Sequence, residues 1–383
     1  MLAEKEKQNQ KLKNKKDQLS QQLKIIISGG GTGGHIFPAI AIARAVEEMR
    51  PGTEILFVGA IGRMEMEKVP AAGYKIVGLE ISGISRSNML KNISLPLKVL
   101  KSVNKAKEII SEFKPDVIVG VGGYASGPTL WAGIKKHIPT LIQEQNSYAG
   151  VTNKILGSRV NKICVAYSGM DKYFPEKKLI VSGNPVRQDI SGLDAKRAEA
   201  IEFFNLKSGF VLLVIGGSLG ARTINESIKK SLQLFADNNI QVIWQTGKAF
   251  YNEANELVKI FHNIRVHDFI YKMDLAYAAS DSVVSRAGAI SLAELCVAGK
   301  SSILIPSPNV AEDHQTMNAN SFAEKNAAIF IKDNEAMEQL GQEIIKLSKN
   351  EGLRKSLSEN IHALAIKDSA QKIAKEIIEL SGK

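Results

Sequence analysis

From Lys24 onward the chain keeps one rhythm: a short aliphatic, β-branched run, a turn, then a longer stretch with helical spacing. The runs read "KIIIS", "EILFVG", "DVIVGVGG", "PTLIQEQ" and "KICVAY". After a break they resume as "FVLLVIGGS", "IQVIWQTG", "NIRVHDFI", "DSVVSRAG" and "SSILIPSP". Strands this short and apolar, separated by helices, belong to parallel sheets covered on both faces. The rhythm also starts twice in the same way, since "KIIISGGGTGGHIFPAI" and "VLLVIGGSLGARTINESI" both pass from strand through a glycine-rich turn into a helix. The break lies in "VSGNPVRQDI", residues 181 to 190, where Gly183, Asn184 and Pro185 cluster. The expected fold class is therefore α/β, with two Rossmann-like doubly wound domains facing across a cleft. A basic, disordered extension is expected over 1–23, the two domains over 24–183 and 184–365, and a closing C-terminal helix over 366–383.

A length of 383 residues with 44% hydrophobic content suits two full cores. No run approaches the roughly 18 consecutive apolar residues of a bilayer span, and "MLAEKEKQNQKLKNKKDQLSQQL" lacks the apolar centre of a signal peptide. Cys164 and Cys296 both sit among apolar residues and read as buried thiols in a reducing compartment. The formal charge is +11, and the first 24 residues hold seven lysines against Glu4, Glu6 and Asp17. Such a balance suits nucleic acid, an anionic membrane surface or phosphorylated substrates. The basic stretches lack interleaved aromatics, which argues against nucleic acid.

Three pattern matches compete at the loops. Gly29, Gly31 and Gly34 satisfy the dinucleotide spacing G-x-G-x-x-G, but the second strand ends in Gly59 and Ala60 without the acid that would hold a ribose. The bare amides entering a helix still form an anion site suited to phosphate or diphosphate. Gly216, Ser218 and Gly220 satisfy the nucleophile elbow G-x-S-x-G, so a serine hydrolase using Ser218 with His314 or His362 is a rival. The repeat of the opening motif explains both loops together as phosphate cradles. No metal site is expected, because neither H-E-x-x-H nor Asp-x-Asp is present; helix N-termini and basic side chains must then meet the charge of a diphosphate.

Seven stretches occur in order: "GGGTGGH" at 29–35, "GGYASGP" at 122–128, "EQNSYAGVTNK" at 144–154, "GNPVR" at 183–187, "GGSLGAR" at 216–222, "SRAGAISLAE" at 285–294 and "EDHQTMNA" at 312–319. Together they resemble the bacterial cell-wall glycosyltransferases that move N-acetylglucosamine onto lipid-linked N-acetylmuramoyl-pentapeptide. The resemblance implies a GT-B type fold, an inverting hexosyl transfer without a cofactor, and a β-1,4 linkage to the muramoyl 4-hydroxyl. It implies UDP-N-acetylglucosamine and undecaprenyl-diphosphate-linked muramoyl-pentapeptide as substrates, met by a donor-binding second domain and an acceptor- and membrane-facing first domain. On the donor side it assigns Glu294 to the ribose, Ile270 to the uracil edge and Ala289, Ile290, Ser291, Leu292 and Ala293 to the nucleotide. Ser218 and Arg187 fall to the diphosphate, and Gln315 to the sugar or diphosphate. On the other side it places Thr32, Gly33 and Gly34 at the acceptor diphosphate or donor sugar, Asn146 at the N-acetylglucosamine and Tyr124 against the acceptor sugar. His35 is the general-base candidate, with Glu144 the second, because an imidazole beside a diphosphate loop can take a hydroxyl proton near neutral pH.

The chain departs from the family at Gln143, where a histidine commonly precedes Glu-Gln-Asn, and in its lysine-rich extension, to which no role is assigned. Between Ile81 and Lys107 there is no acid, while Arg86, Lys91, Lys98, Lys101, Lys105 and Lys107 alternate with Ile84, Met89, Leu90, Ile93, Leu95 and Leu97. Basic residues around apolar ones suit an anionic bilayer surface, with Trp131 as a further contact and Leu100, Val103 and Ile110 expected to face the core. The expected location is the cytoplasmic face of the cell membrane, held peripherally. A UDP-N-acetylglucosamine epimerase of similar fold is the nearest enzyme alternative.

Overall fold

A computed structural model describes residues 22–81, 95–186, 190, 192–310 and 313–383. It divides into two compact units, one of residues up to 144 with 149–182 and 370–383, the other of 145–148 with 183–369.

The first unit holds seven strands: β1 Lys24–Gly29, β2 Glu54–Ala60, β3 Lys75–Leu79, β4 Val117–Gly122, β5 Thr140–Glu144, β6 Lys162–Val165 and β7 Leu179–Val181. They lie in the order β3-β2-β1-β4-β5-β6-β7, and every pairing is parallel. The sheet is covered on both faces because successive side chains of a strand point to opposite sides. Ile25 and Ile27 join Val117, Val119 and Leu141 in one core, against helix Gly33–Met49. Ile26 joins Val58, Ile118 and Ile142 in the other, with Ile110 and Leu130. Each such isoleucine contributes roughly 1.5–3 kcal/mol by leaving water. The last helix, Ser369–Ser381, adds Ile373 and Ile377 to the first core, and Lys162 pairs with its Glu376 and Glu379.

The second unit repeats the plan with β8 Val211–Ile215, β9 Gln241–Gln245, β10 Ile264–His267, β11 Ser282–Ser285, β12 Ser301–Leu304 and β13 Ile329–Phe330, in the order β10-β9-β8-β11-β12-β13. Again all pairs are parallel. All ten apolar runs of the sequence form strands. The three strands not among them, β3, β7 and β13, lie at sheet edges, where only one neighbour and partial burial weaken the apolar signal. In both units the central strand, β1 or β8, leads into a glycine-rich turn at the carboxyl edge of its sheet, where ligands of such folds bind.

Candidate active site

In the first unit the chain leaves β1 through Gly30, Gly31 and Thr32 and enters helix Gly33–Met49. Thr32 is extended, its carbonyl accepts from the amides of His35 at 3.1 Å and Ile36 at 3.2 Å, and the first helical turn carries no acid. Thr32 and Gly34 are exposed and Gly33 is buried, so the positive end of the helix dipole meets the surface here. His35, half-buried, rests on the α-carbon of Gly122: a Cβ there would stand 2.7 Å from Cε1 and Nδ1 of the imidazole. The amide of Gly30 donates to the carbonyl of Gly122 at 3.2 Å, and a Cβ on Gly123 would collide with the carbonyl of Gly30. The two glycine-rich stretches therefore interlock through bare backbone. Tyr124 is exposed beside them, with Arg63 5.9 Å from its ring centroid.

One residue of this layer is absent from the sequence-based assignments. Glu65, 1% exposed, sends Oε2 to the Gly31 amide at 2.7 Å and Oε1 to the Ala60 amide at 2.9 Å. A Cβ on Gly30 would collide with its carboxyl group, and one on Gly59 would come within 2.6 Å of its Cγ. The sequence carries a signal: the dinucleotide spacing calls for an acid at the end of the second strand, and one stands five residues past Ala60, on helix Glu65–Ala71.

Glu144, buried at the end of β5, accepts from the Gly150 amide at 3.0 Å and from Asn153 Nδ2 at 2.8 Å, which fastens the start of helix Val151–Gly157. Gln143 is fully buried within β5. Asn146, half-buried, belongs to the 145–148 segment of the second unit. There the Gln145 carbonyl accepts from Asn184 Nδ2 at 3.0 Å, and Ser147 Oγ donates to Asn318 Oδ1 at 3.4 Å. Asn318 in turn donates to the Ala287 carbonyl at 3.2 Å, so two buried asparagines tie this segment to the start of helix Ala289–Ala298.

The second glycine-rich turn runs from Gly216 to Ala221 into helix Arg222–Lys230. The Gly217 carbonyl accepts from the Gly220 amide at 3.1 Å and from Gln245 Nε2 at 3.0 Å. Gly220 has φ +79°, and a Cβ there would collide with the Thr246 carbonyl, so the turn admits only glycine. Ser218 is half-buried and Leu219 exposed. Gln245 Oε1 accepts from the Ile270 amide at 2.8 Å, which commits that N–H within the protein. Glu294 is buried on helix Ala289–Ala298 and accepts from the Tyr277 hydroxyl at 3.2 Å. Along that helix Ile290, Ser291 and Ala293 are half-buried, Ala289 is buried, and Leu292 is fully buried in the core, so its side chain supports the helix from behind. Gln315 Oε1 accepts from the Ser307 amide at 2.9 Å, which orients the carboxamide and leaves Nε2 as its donor. Burial pushes the His267 pKa down. Arg187 and Glu312 lie outside the described residues.

The glycosyltransferase family 28 N-terminal domain matches residues 25–165, and the C-terminal domain of the same family matches residues 211–377. This chain belongs to glycosyltransferase family 28. A relative from Parabacteroides distasonis is 52% identical over 366 residues, 95% of this chain and 100% of that one. One from Cytophaga hutchinsonii is 53% identical over 358 residues, covering 93% and 96%. Both bear the name UDP-N-acetylglucosamine–N-acetylmuramyl-(pentapeptide) pyrophosphoryl-undecaprenol N-acetylglucosamine transferase. Among solved structures, Acinetobacter baumannii MurG is similar at TM-score 0.71 and 26% identity, over 93% of this chain and 99% of that one. The UDP-GlcNAc 2-epimerase of Neisseria meningitidis reaches TM-score 0.65 at 13% identity, over 93% and 100%, a likeness of fold alone.

Family membership and topology together dispose of the hydrolase rival with His362. Ser218 follows the carboxyl end of β8, whereas His362 gives Nδ1 to the Cys296 carbonyl at 3.1 Å and packs on Gly299, just before β12 begins. In a parallel sheet these are opposite edges. Burial pushes both thiols, Cys164 and Cys296, up to about 12, as inert core groups require.

One expectation for the first unit is corrected. Leu100 does not face the core: on helix Leu95–Phe113 it is 62% exposed, beside Leu97 at 64% and the exposed Lys98 and Lys101. Ile110 is buried as expected and Val103 half-buried. The exposed positions 97 to 101 precede the buried Ser102, Ala106, Ile109 and Ile110, so burial begins only beyond the first turns of the helix. Arg86 and Lys91, with Ile84, Met89, Leu90 and Ile93, lie outside the described residues. Trp131 stands between Lys135 Nζ at 5.3 Å and the Arg159 guanidinium at 5.1 Å. No described helix is long and apolar enough to cross a membrane.

Proposed function

We propose that this chain is an inverting hexosyltransferase that moves N-acetylglucosamine from UDP-N-acetylglucosamine to the 4-hydroxyl of undecaprenyl-diphosphate-linked N-acetylmuramoyl-pentapeptide. The observation that carries the reading is identity above 50% along almost the whole chain with transferases bearing that name. His35 takes the proton of the acceptor hydroxyl as its oxygen attacks the anomeric carbon, and UDP departs from the opposite face, giving the β-1,4 linkage. The departing diphosphate is met by Ser218 and the amides that open helix Arg222–Lys230, with Arg187 adding charge. Glu294 accepts from the ribose hydroxyls, the Ile270 carbonyl accepts from the uracil edge, and Ala289 to Ala293 bound the nucleotide. Asn146 and Gln315 Nε2 read the sugar, while Thr32, Gly33 and Gly34 meet the acceptor. Glu144, which accepts from Gly150 and Asn153, suits the role of fastening the start of helix Val151–Gly157 better than that of a proton acceptor.

The lipid substrate brings the first unit to the cytoplasmic face of the membrane as a peripheral protein, with Leu97, Leu100, Lys98 and Lys101 at the surface. Each cation there adds roughly 1 kcal/mol of attraction to anionic lipid. Leu97→Ser with Leu100→Ser should reduce co-sedimentation with anionic vesicles several-fold; full retention would remove the helix from the contact. The deciding assay supplies labelled UDP-N-acetylglucosamine with the lipid-diphosphate acceptor, with and without chelator. Sugar should pass to lipid in both, and the donor alone should stay unchanged. Donor isomerised without acceptor would mark an epimerase instead.

A further inference from the structure

We propose that Glu65 is an internal anion for the first glycine-rich turn: a positioning residue that sets the Gly29–Thr32 backbone under His35 and excludes a substrate diphosphate from Gly31. Three observations meet here. The carboxylate is almost wholly buried and its two oxygens each take one backbone N–H, Gly31 at 2.7 Å and Ala60 at 2.9 Å. Two glycines make room for it, since side chains at Gly30 or Gly59 would run into the Glu65 chain. The turn so fixed is the one whose Gly30 amide holds the Gly122 carbonyl, and Gly122 is the surface on which the His35 ring lies.

A concave set of amides at a strand-to-helix turn is an anion site whether the anion arrives in a ligand or on a side chain. Here the Gly31 amide already has its anion. A diphosphate placed over it would meet a buried negative charge with little water between. The acceptor diphosphate is left the later part of the motif, Thr32 to His35, where the helix begins without an acid. Bare backbone at Gly30 and Gly59 thus serves an internal carboxylate, and bare backbone at Gly122 serves the imidazole.

The role of His35 in this inference rests on the transferase reading; the hydrogen-bonding role of Glu65 does not. The test uses the full chain with Glu65→Gln and Glu65→Ala, read by kcat, donor KM and amide hydrogen exchange of the Gly29–Thr32 and Ala60 segments. A carboxamide of the same size can accept only one of the two N–H groups well, because its own NH2 opposes the other. Both variants should lose kcat by roughly 10²-fold, as a displaced catalytic group does, with donor KM changed less than twofold and exchange faster only in those segments. Acetate is the fragment that Ala lacks, and it should restore kcat and protection to Glu65→Ala but not to Glu65→Gln. Wild-type kcat in Glu65→Gln, unchanged exchange, or loss of protection across the whole unit in both variants would overturn the proposal. If wild-type protein transfers no sugar, the transferase reading fails, and the exchange data still decide what Glu65 holds.

Discussion

In the first unit the turn after the central strand gives an amide, that of Gly31, to a carboxylate; in the second the matching turn receives a hydrogen on its Gly217 carbonyl from a carboxamide. Both braces come from the same direction. β2 flanks β1 as β9 flanks β8, Glu65 follows β2, and Gln245 ends β9. The sequence plan is repeated, yet the electrostatics are reversed. The first turn has one amide neutralised and a negative charge beneath it. The second is held by a neutral group through its carbonyl. On the proposed transferase reading, the second turn is the better seat for the donor diphosphate, and the first turn is left to place the proposed base, His35. The two copies of one supersecondary motif thus differ in their brace, a carboxylate on the helix that follows β2 in the first and a carboxamide at the end of β9 in the second.

The largest effect that would test this division is at His35. His35→Ala should lower kcat by roughly 10²–10⁴-fold, the range for loss of a general base, while UDP affinity measured by calorimetry stays within about twofold. Wild-type turnover would take His35 out of the chemistry, and a parallel loss of UDP binding would mean that the two turns share the nucleotide. Gly220→Ala is the counterpart on the second turn. Its Cβ would collide with the Thr246 carbonyl from a left-handed backbone, costing roughly 2–4 kcal/mol. UDP affinity should fall by about 10²-fold, with turnover at saturating donor less affected. Equal affinity would show that the second turn is not where the diphosphate sits.

Much of this was legible in the sequence, and the part that was not has a physical reason. Nine of the ten apolar runs form the interior strands, because burial on both faces demands continuous hydrophobic residues, and the tenth forms the edge strand β10. The placement of Ser218, Glu294 and the 289–294 segment at the carboxyl edge of the second sheet follows from where each lies after its strand. Glu65 was not found because its partner, Gly31, is 34 residues away. Only the pairing of β1 with β2 brings the two together, and a motif read along the chain cannot show that. The same limit applies to Leu100: helical spacing marks which residues share a face, but not where along the helix that face stops being covered.

The smallest and sharpest change converts one turn into the other. Gln245→Glu keeps the size of the brace and its acceptance of the Ile270 amide, now made at 2.8 Å. It removes the donor to the Gly217 carbonyl and puts a negative charge under the second turn, as Glu65 does under the first. At an effective dielectric near 20, a unit charge several ångströms from a diphosphate costs on the order of 1–2 kcal/mol, so UDP should bind about tenfold more weakly. The loss should shrink as ionic strength rises, since screening weakens the new repulsion. Gln245→Leu, which removes the hydrogen bonds without adding charge, should lack that salt dependence. Identical salt profiles for the two variants would mean that shape alone, and not charge, separates the turns.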